Sequence, residues 1–190
     1  MREKKKTRGF TAEKFFVMFM LISFLGWAIE TICCSIDVGG LCDRGFINMP
    51  CCTIYGCTVL ALYALLGTPE KGGLLLQNVT SRPMRLSLYF FLGIVITVSV
   101  ELVTGWFFSE ICGVSLWDYS AYRFNYKGYI CLEFALLWGV LILFGMRFVF
   151  GPMKRAIAGV PERYLAGISA VLAVLLLADW AVSYAKIFLK

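Results

Sequence analysis

Histidine is absent from this chain, which removes imidazole acid–base catalysis and histidine-ligated metal sites. Charge is scarce as well. Charged residues make up 16% of the 190, against about 25% in soluble domains. The paired cysteines lack the two-residue spacing of zinc sites, since Cys33 and Cys34, and Cys51 and Cys52, are adjacent. No metal and no cofactor is expected, and most cysteines read as small buried hydrophobes. A cleavable leader is not expected either: behind the basic start, the first apolar stretch is too long for a leader core and lacks a small-residue cleavage site. The sequence carries no internal repeat.

Apolar residues take the place of what is missing. They form 60% of the chain, and mean hydropathy is +0.79. Five stretches, 15–36, 50–67, 86–108, 130–150 and 164–188, approach or exceed the ~18 to 20 residues needed to cross a ~30 Å hydrocarbon layer. Lipid is therefore the expected solvent. The expected fold is all-α, a polytopic bundle of about five membrane helices: a basic N-terminal segment (1–14), then one helical domain (15–188).

Charge asymmetry sets the expected orientation. Residues 1–14 carry six basic and two acidic side chains, which places the N-terminus in the cytoplasm. The 68–85 and 151–163 loops each carry a net +2. The 37–49 loop carries −1 and the 109–129 loop is neutral. The loops alternate as five spans require, with the C-terminus outside. The net charge of +6 reads as a topology signal beside apolar segments, so nucleic acid is not an expected partner. Asn78-Val79-Thr80 matches a glycosylation pattern by chance, being on an inner loop. Cys42, Cys51, Cys52 and Cys112 fall near one face and could form disulfides if that face is oxidising.

Ionisable residues inside apolar helices cost roughly 2.5 to 3.5 kcal/mol on insertion scales, so each requires a reason. Glu30, Glu101 and Asp179 each lie about 15 residues above the inner ends of their segments, roughly 22 Å up. Glu133 enters from the opposite side and lies a few residues down, so all four share the outer third of the membrane. Gly26, and Thr97 with Thr104 and Gly105, place small and polar neighbours on the same faces. Asp179, Ser183 and Lys186 form a further polar stripe, for which an interfacial anchor is the simpler reading. Arg44 is the natural counter-charge for Glu30, Glu101 or Glu133. Above this layer lie Trp117, Asp118, Tyr119 and Asn125. With Arg44 paired, the layer keeps a negative surplus that favours a cation, a proton or a zwitterion's ammonium group.

These residues also carry a resemblance. Phe24-Leu25-Gly26-Trp27 with Glu30, Arg44-Gly45-Phe46, Ile54-Tyr55-Gly56, Glu101 with Thr104-Gly105-Trp106, Trp117-Asp118-Tyr119-Ser120, Phe124-Asn125, Gly128 and Trp138-Gly139 occur in an order and spacing that resembles the ABC-transporter type IV (CmpB-like) family of bacterial membrane proteins. The likeness covers about residues 20 to 150. It departs at Asp43, where that family has Asn, and at Met49-Pro50 and Thr53-Ile54-Tyr55-Gly56, where it has Gly-Pro and Pro-Ile-Tyr-Gly. The resemblance implies a permease-like role in a bacterial cell membrane, with either a separate ATPase subunit or a second copy as partner. A Walker A motif is lacking, so ATP hydrolysis would belong to another chain; the basic 151–163 loop is the one plausible dock.

Three functions remain open from the sequence. The first is a transport component that binds a small cationic or zwitterionic solute in an outward-open acidic pocket lined by Glu30, Arg44, Glu101, Trp117, Asp118, Tyr119, Asn125 and Glu133. The second is a membrane enzyme acting on a lipid head group or peptide, with a glutamate or Asp118 as base. It is disfavoured because the sequence pairs no nucleophile with a base. The third is a structural or regulatory subunit whose polar layer only fixes packing.

Overall fold

The structure, a computed structural model, describes residues 10–189. Residues 1–9 of the expected cytoplasmic N-terminus (1–14), with Lys4 to Lys6, and Lys190, expected outside, lie beyond the described residues. The fold is all-helical. Helix α1 spans Ala12–Val38, α2 Thr53–Leu66, α3 Arg82–Trp106, α4 Leu132–Phe144, α5 Gly151–Ala158 and α6 Glu162–Phe188. The only strands among the described residues, β1 (Asn125–Tyr126) and β2 (Ile130–Cys131), form a small hairpin.

Among the described residues, four helical stretches are long and apolar enough to cross a membrane: Ala12–Val38, Arg82–Ile111, Leu132–Ala158 and Glu162–Phe188. The third of these joins α4 to α5 through a widened turn, Gly145–Phe150. Pro152 follows that turn. Its ring and missing N–H do not fit regular α-helical bonding, and a widened turn is a known way of absorbing the mismatch. Residues 151–158, expected in a loop, therefore extend the span, and the connection to α6 shrinks to Gly159-Val160-Pro161.

The second expected span is different. Helix α2 has 14 residues, about 21 Å at ~1.5 Å each, too short for a ~30 Å layer. The chain before it makes up part of the depth without helix. Helix α1 ends at Gly39, in the left-handed conformation (φ 66°) that glycine adopts without a Cβ penalty. The backbone then folds back down beside α1 until the Cys52 N–H donates to Ser23 O at 3.0 Å. Ser23 lies about 17 Å above the start of α1. Irregular backbone at such depth must find its partners within the protein.

The helices pack in the order α6, α1, α2, α3, α4, with α5 returning to α1. Helices α1 and α6 run in parallel, tied low down by Ser169 Oγ donating to Glu13 O at 3.4 Å. At that same end lies the tightest core: Met18, Leu62, Leu66, Leu76, Tyr89 and Leu165, all at 2% exposure or less. Dispersion and close approach, rather than expulsion of water, drive such contacts in lipid. Gly26 and Gly56 permit the α1–α2 crossing, for a Cβ at Gly26 would fall 2.4 Å from the Tyr55 ring and one at Gly56 2.4 Å from Ser23 Oγ.

Candidate functional site

The descending segment 42–45 is fastened to successive turns of α1. The Cys42 N–H donates to Ser35 Oγ at 3.0 Å, the Arg44 N–H to Thr31 Oγ1 at 3.2 Å, and Trp27 Nε1 to Asp43 Oδ1 at 2.8 Å. A disulfide joins Cys34 to Cys42. Of the four cysteines expected near this face, only Cys42 is bonded, and to a helix residue; Cys51, Cys52 and Cys112 are free. The fastening brings Arg44 Nε to 3.9 Å from Glu30 Oε2, with both side chains about a third exposed. The other Glu30 oxygen accepts from Tyr55 OH at 2.5 Å, and the Cys52 thiol lies 3.9 Å from Glu30 Oε2 while donating to Arg44 O.

Glu101 faces the same layer from α3 and is 7% exposed. Its Oε1 accepts from Tyr119 OH at 2.9 Å. The Trp138 indole of α4 interacts with this carboxylate, yet its N–H falls short of hydrogen-bond geometry and finds no other partner among the described residues. Trp138 also meets the Tyr55 ring edge-on, centroids 5.7 Å apart. The two glutamates, on α1 and α3, thus belong to one cluster closed by Tyr55, Trp138 and Tyr119, and Glu30 acts electrostatically on Glu101. Thr97 Oγ1, one turn from Glu101, is also buried without a partner.

The loop between α3 and α4 exists to deliver Tyr119. Asp118 Oδ1 accepts from the Ser120 N–H at 2.8 Å, and Asp118 Oδ2 from Ser120 Oγ at 3.0 Å. Asn125 donates to Ser120 O and Tyr122 O and accepts from the Gly128 N–H. Trp117 Nε1 donates to Tyr129 O at 2.8 Å, and both rings lie close over Gly105 of α3. The Tyr119 ring stacks on Phe134 at 4.8 Å. Burial first, then the Glu101 charge, push its phenol well above the ordinary tyrosine range, so it serves as a donor.

The expected residues therefore divide. Glu30, Arg44, Glu101 and Tyr119 come together; Trp117, Asp118 and Asn125 build the loop that carries Tyr119. Glu133 does not join them. It is exposed on the first turn of α4, where the helix dipole favours a carboxylate, with the Cys131 thiol as partner. The expectation that Glu133 meets Glu30, Glu101 and Arg44 is thus not met, because the first turn of α4 carries its side chain to the outside. Tyr55 and Trp138, absent from the expected set, complete the cluster. Trp138 carried a signal, a hydrogen-bonding aromatic in the middle of an apolar helix rather than at its interfacial end; Tyr55, on the first turn of α2, carried none.

Asp179 departs from the anchor reading. Its Oδ2 accepts from the Met49 N–H at 2.7 Å and its Oδ1 from Asn48 Nδ2 at 2.5 Å, so it satisfies the backbone of the descending segment from a largely accessible position on α6.

Over residues 17–184 the chain matches the family model described as Putative ABC-transporter type IV. Among curated proteins and among solved structures, no match is found.

Proposed function

The chain belongs to the ABC-transporter type IV family, and on that premise we propose that this transport-related membrane protein binds a small cationic or zwitterionic solute between Glu30 and Glu101. The observation that carries the reading is a polar layer with surplus negative charge. Glu30 and the buried Glu101 act on each other while only Glu30 pairs with Arg44, and among the described residues Thr97 Oγ1 is buried without a partner. A layer that served packing alone would be expected to satisfy its buried donors. A short helix entered through irregular backbone beside the charged groups adds support, because transporters commonly build sites at interrupted helices. The solute would enter from the disulfide end by displacing Tyr119 from Glu101. The Cys34–Cys42 bond supports an oxidising, external setting for that end, in agreement with the loop charges. Energy coupling would fall to a separate ATPase subunit.

Purified wild type and Glu101→Gln in lipid nanodiscs test the proposal against a panel of amines and zwitterions. The amide keeps the volume and accepts from Tyr119, so the variant should melt near wild type while binding weakens by about 1.5 to 3 kcal/mol, the worth of a charge-assisted bond. A variant that melts far below wild type, with no solute stabilising either protein, would leave the layer as packing alone.

A further inference from the structure

The two glutamates of the cluster are walled by aromatic rings. Tyr55 of α2 and Trp138 of α4 meet edge-on with centroids 5.7 Å apart, and each stands against a carboxylate, Tyr55 against Glu30 and Trp138 against Glu101. Tyr119 reaches Glu101 from the loop between α3 and α4, with Phe134 stacked on its ring. These groups are close enough to act on one another. The Glu30 charge is felt by Glu101 and by Tyr119, and Tyr119 in turn acts on Tyr55. Three aromatic side chains from three separate parts of the chain thus surround two carboxylates.

Neutral donors already attend both carboxylates. Glu30 accepts from Tyr55 OH at 2.5 Å and has the Cys52 thiol 3.9 Å away, while Glu101 accepts from Tyr119 OH at 2.9 Å and has the Trp138 indole beside it. Such donors occupy carboxylate oxygens without cancelling their charge. Arg44 offsets the charge at Glu30, and no cation among the described residues forms an ion pair with Glu101. The cluster therefore offers a guest charge and aromatic surface more readily than free acceptor oxygens.

A primary ammonium is poorly served by such a place, since it brings three N–H donors that must find acceptors once water is left behind. A quaternary ammonium has no N–H to satisfy. Its charge, spread over the attached methyl groups, is drawn to the faces of Trp and Tyr as well as to a carboxylate. We infer, building on the solute reading above, that the solute carries a quaternary ammonium group, seated between Glu30 and Glu101 against the rings of Tyr55, Tyr119 and Trp138. Release of the Tyr119 phenol from Glu101 opens the cluster, and its return sets the third ring against the bound group.

The test uses the full chain in lipid nanodiscs, titrated at constant ionic strength with tetramethylammonium chloride and separately with methylammonium chloride, and followed by calorimetry and thermal melting. Both probes carry one positive charge, and only the second carries N–H. Tetramethylammonium should bind roughly ten-fold or more tightly than methylammonium, and Trp138→Leu should lower that preference by roughly ten-fold, the size of a desolvated cation–π contact. Should Trp138→Leu fail to fold, Trp138→Phe, whose ring has the weaker face, should still lower the preference. Methylammonium binding as tightly as tetramethylammonium, or more tightly, would overturn the quaternary assignment and leave the solute reading standing. An unchanged preference in the ring variants would overturn it as well, since the rings would then play no part. Failure of both probes, with the panel of amines and zwitterions also failing to bind, would overturn this inference and the solute reading together.

Discussion

Tyr119, on the loop between α3 and α4, donates its phenol hydrogen to Oε1 of Glu101 on α3 at 2.9 Å. This single bond ties the loop between α3 and α4 to a carboxylate buried among helices. Tyr119→Phe should leave an acceptor of Glu101 unsatisfied at a cost of about 1 to 3 kcal/mol. Thermal melting measures the loss, and no change in melting would mean that the bond is not made. The pH dependence has a definite sign. The folded-state phenol lies above its unfolded value of about 10, so the stability it contributes is whole below pH ~10 and is lost as pH rises beyond it.

Gly128 makes that loop possible. Its φ is 74°, and a Cβ there would fall 2.6 Å from Asp118 Oδ1. Gly128→Ala combines an unfavourable backbone conformation with a clash and should destabilise the hairpin by about 1 to 3 kcal/mol. The measurement is the rate of protease cleavage between residues 112 and 131. Cleavage as slow as in wild type would count against the loop geometry.

The Glu30–Arg44 pair should be weak despite its position. Both side chains are about a third exposed, and the closest atoms are 3.9 Å apart. A double-mutant cycle with Glu30→Gln and Arg44→Ala should give a coupling of about 0.2 to 1 kcal/mol, as for exposed pairs. A coupling of several kcal/mol would mean that the pair is closed and dry in the membrane.

Asp179 should prove structural. Asp179→Ala removes the acceptor of the Met49 N–H and of Asn48 and should cost about 0.5 to 1.5 kcal/mol. Asp179→Asn, which keeps one acceptor oxygen, should recover part of it. If Asp179→Ala melts as wild type does, the descending segment has another partner.

The disulfide offers a test of fold and orientation together. Cys33 is exposed and free, whereas Cys34 and Cys42 are bonded. A membrane-impermeant maleimide applied from outside the cell should label Cys34 and Cys42 only after reduction. Labelling of both without reductant would show that the bond is open, and labelling from the inner face alone would reverse the orientation.

Much of this was determined by the sequence itself. Runs of about 20 apolar residues have one stable environment, because a helix in lipid satisfies its own backbone, and that determined the helical class, whereas the second expected span proved a short helix and the fourth took in residues 151–158. The rarity of charge inside those runs also singled out Glu30, Glu101 and Asp179 as residues needing partners. Their different fates were decided by tertiary structure alone. Glu101 meets Tyr119 and Trp138 from distant parts of the chain, Asp179 meets backbone amides some 130 positions earlier, and Glu133 turns outward. Counting residues along a helix gives the depth of a carboxylate. What it bonds depends on which neighbour arrives at that depth, and here the decisive neighbours were an irregular segment folded back beside α1 and the loop between α3 and α4. Neither has a periodicity to read, because their conformations are set by hydrogen bonds to residues far away in sequence.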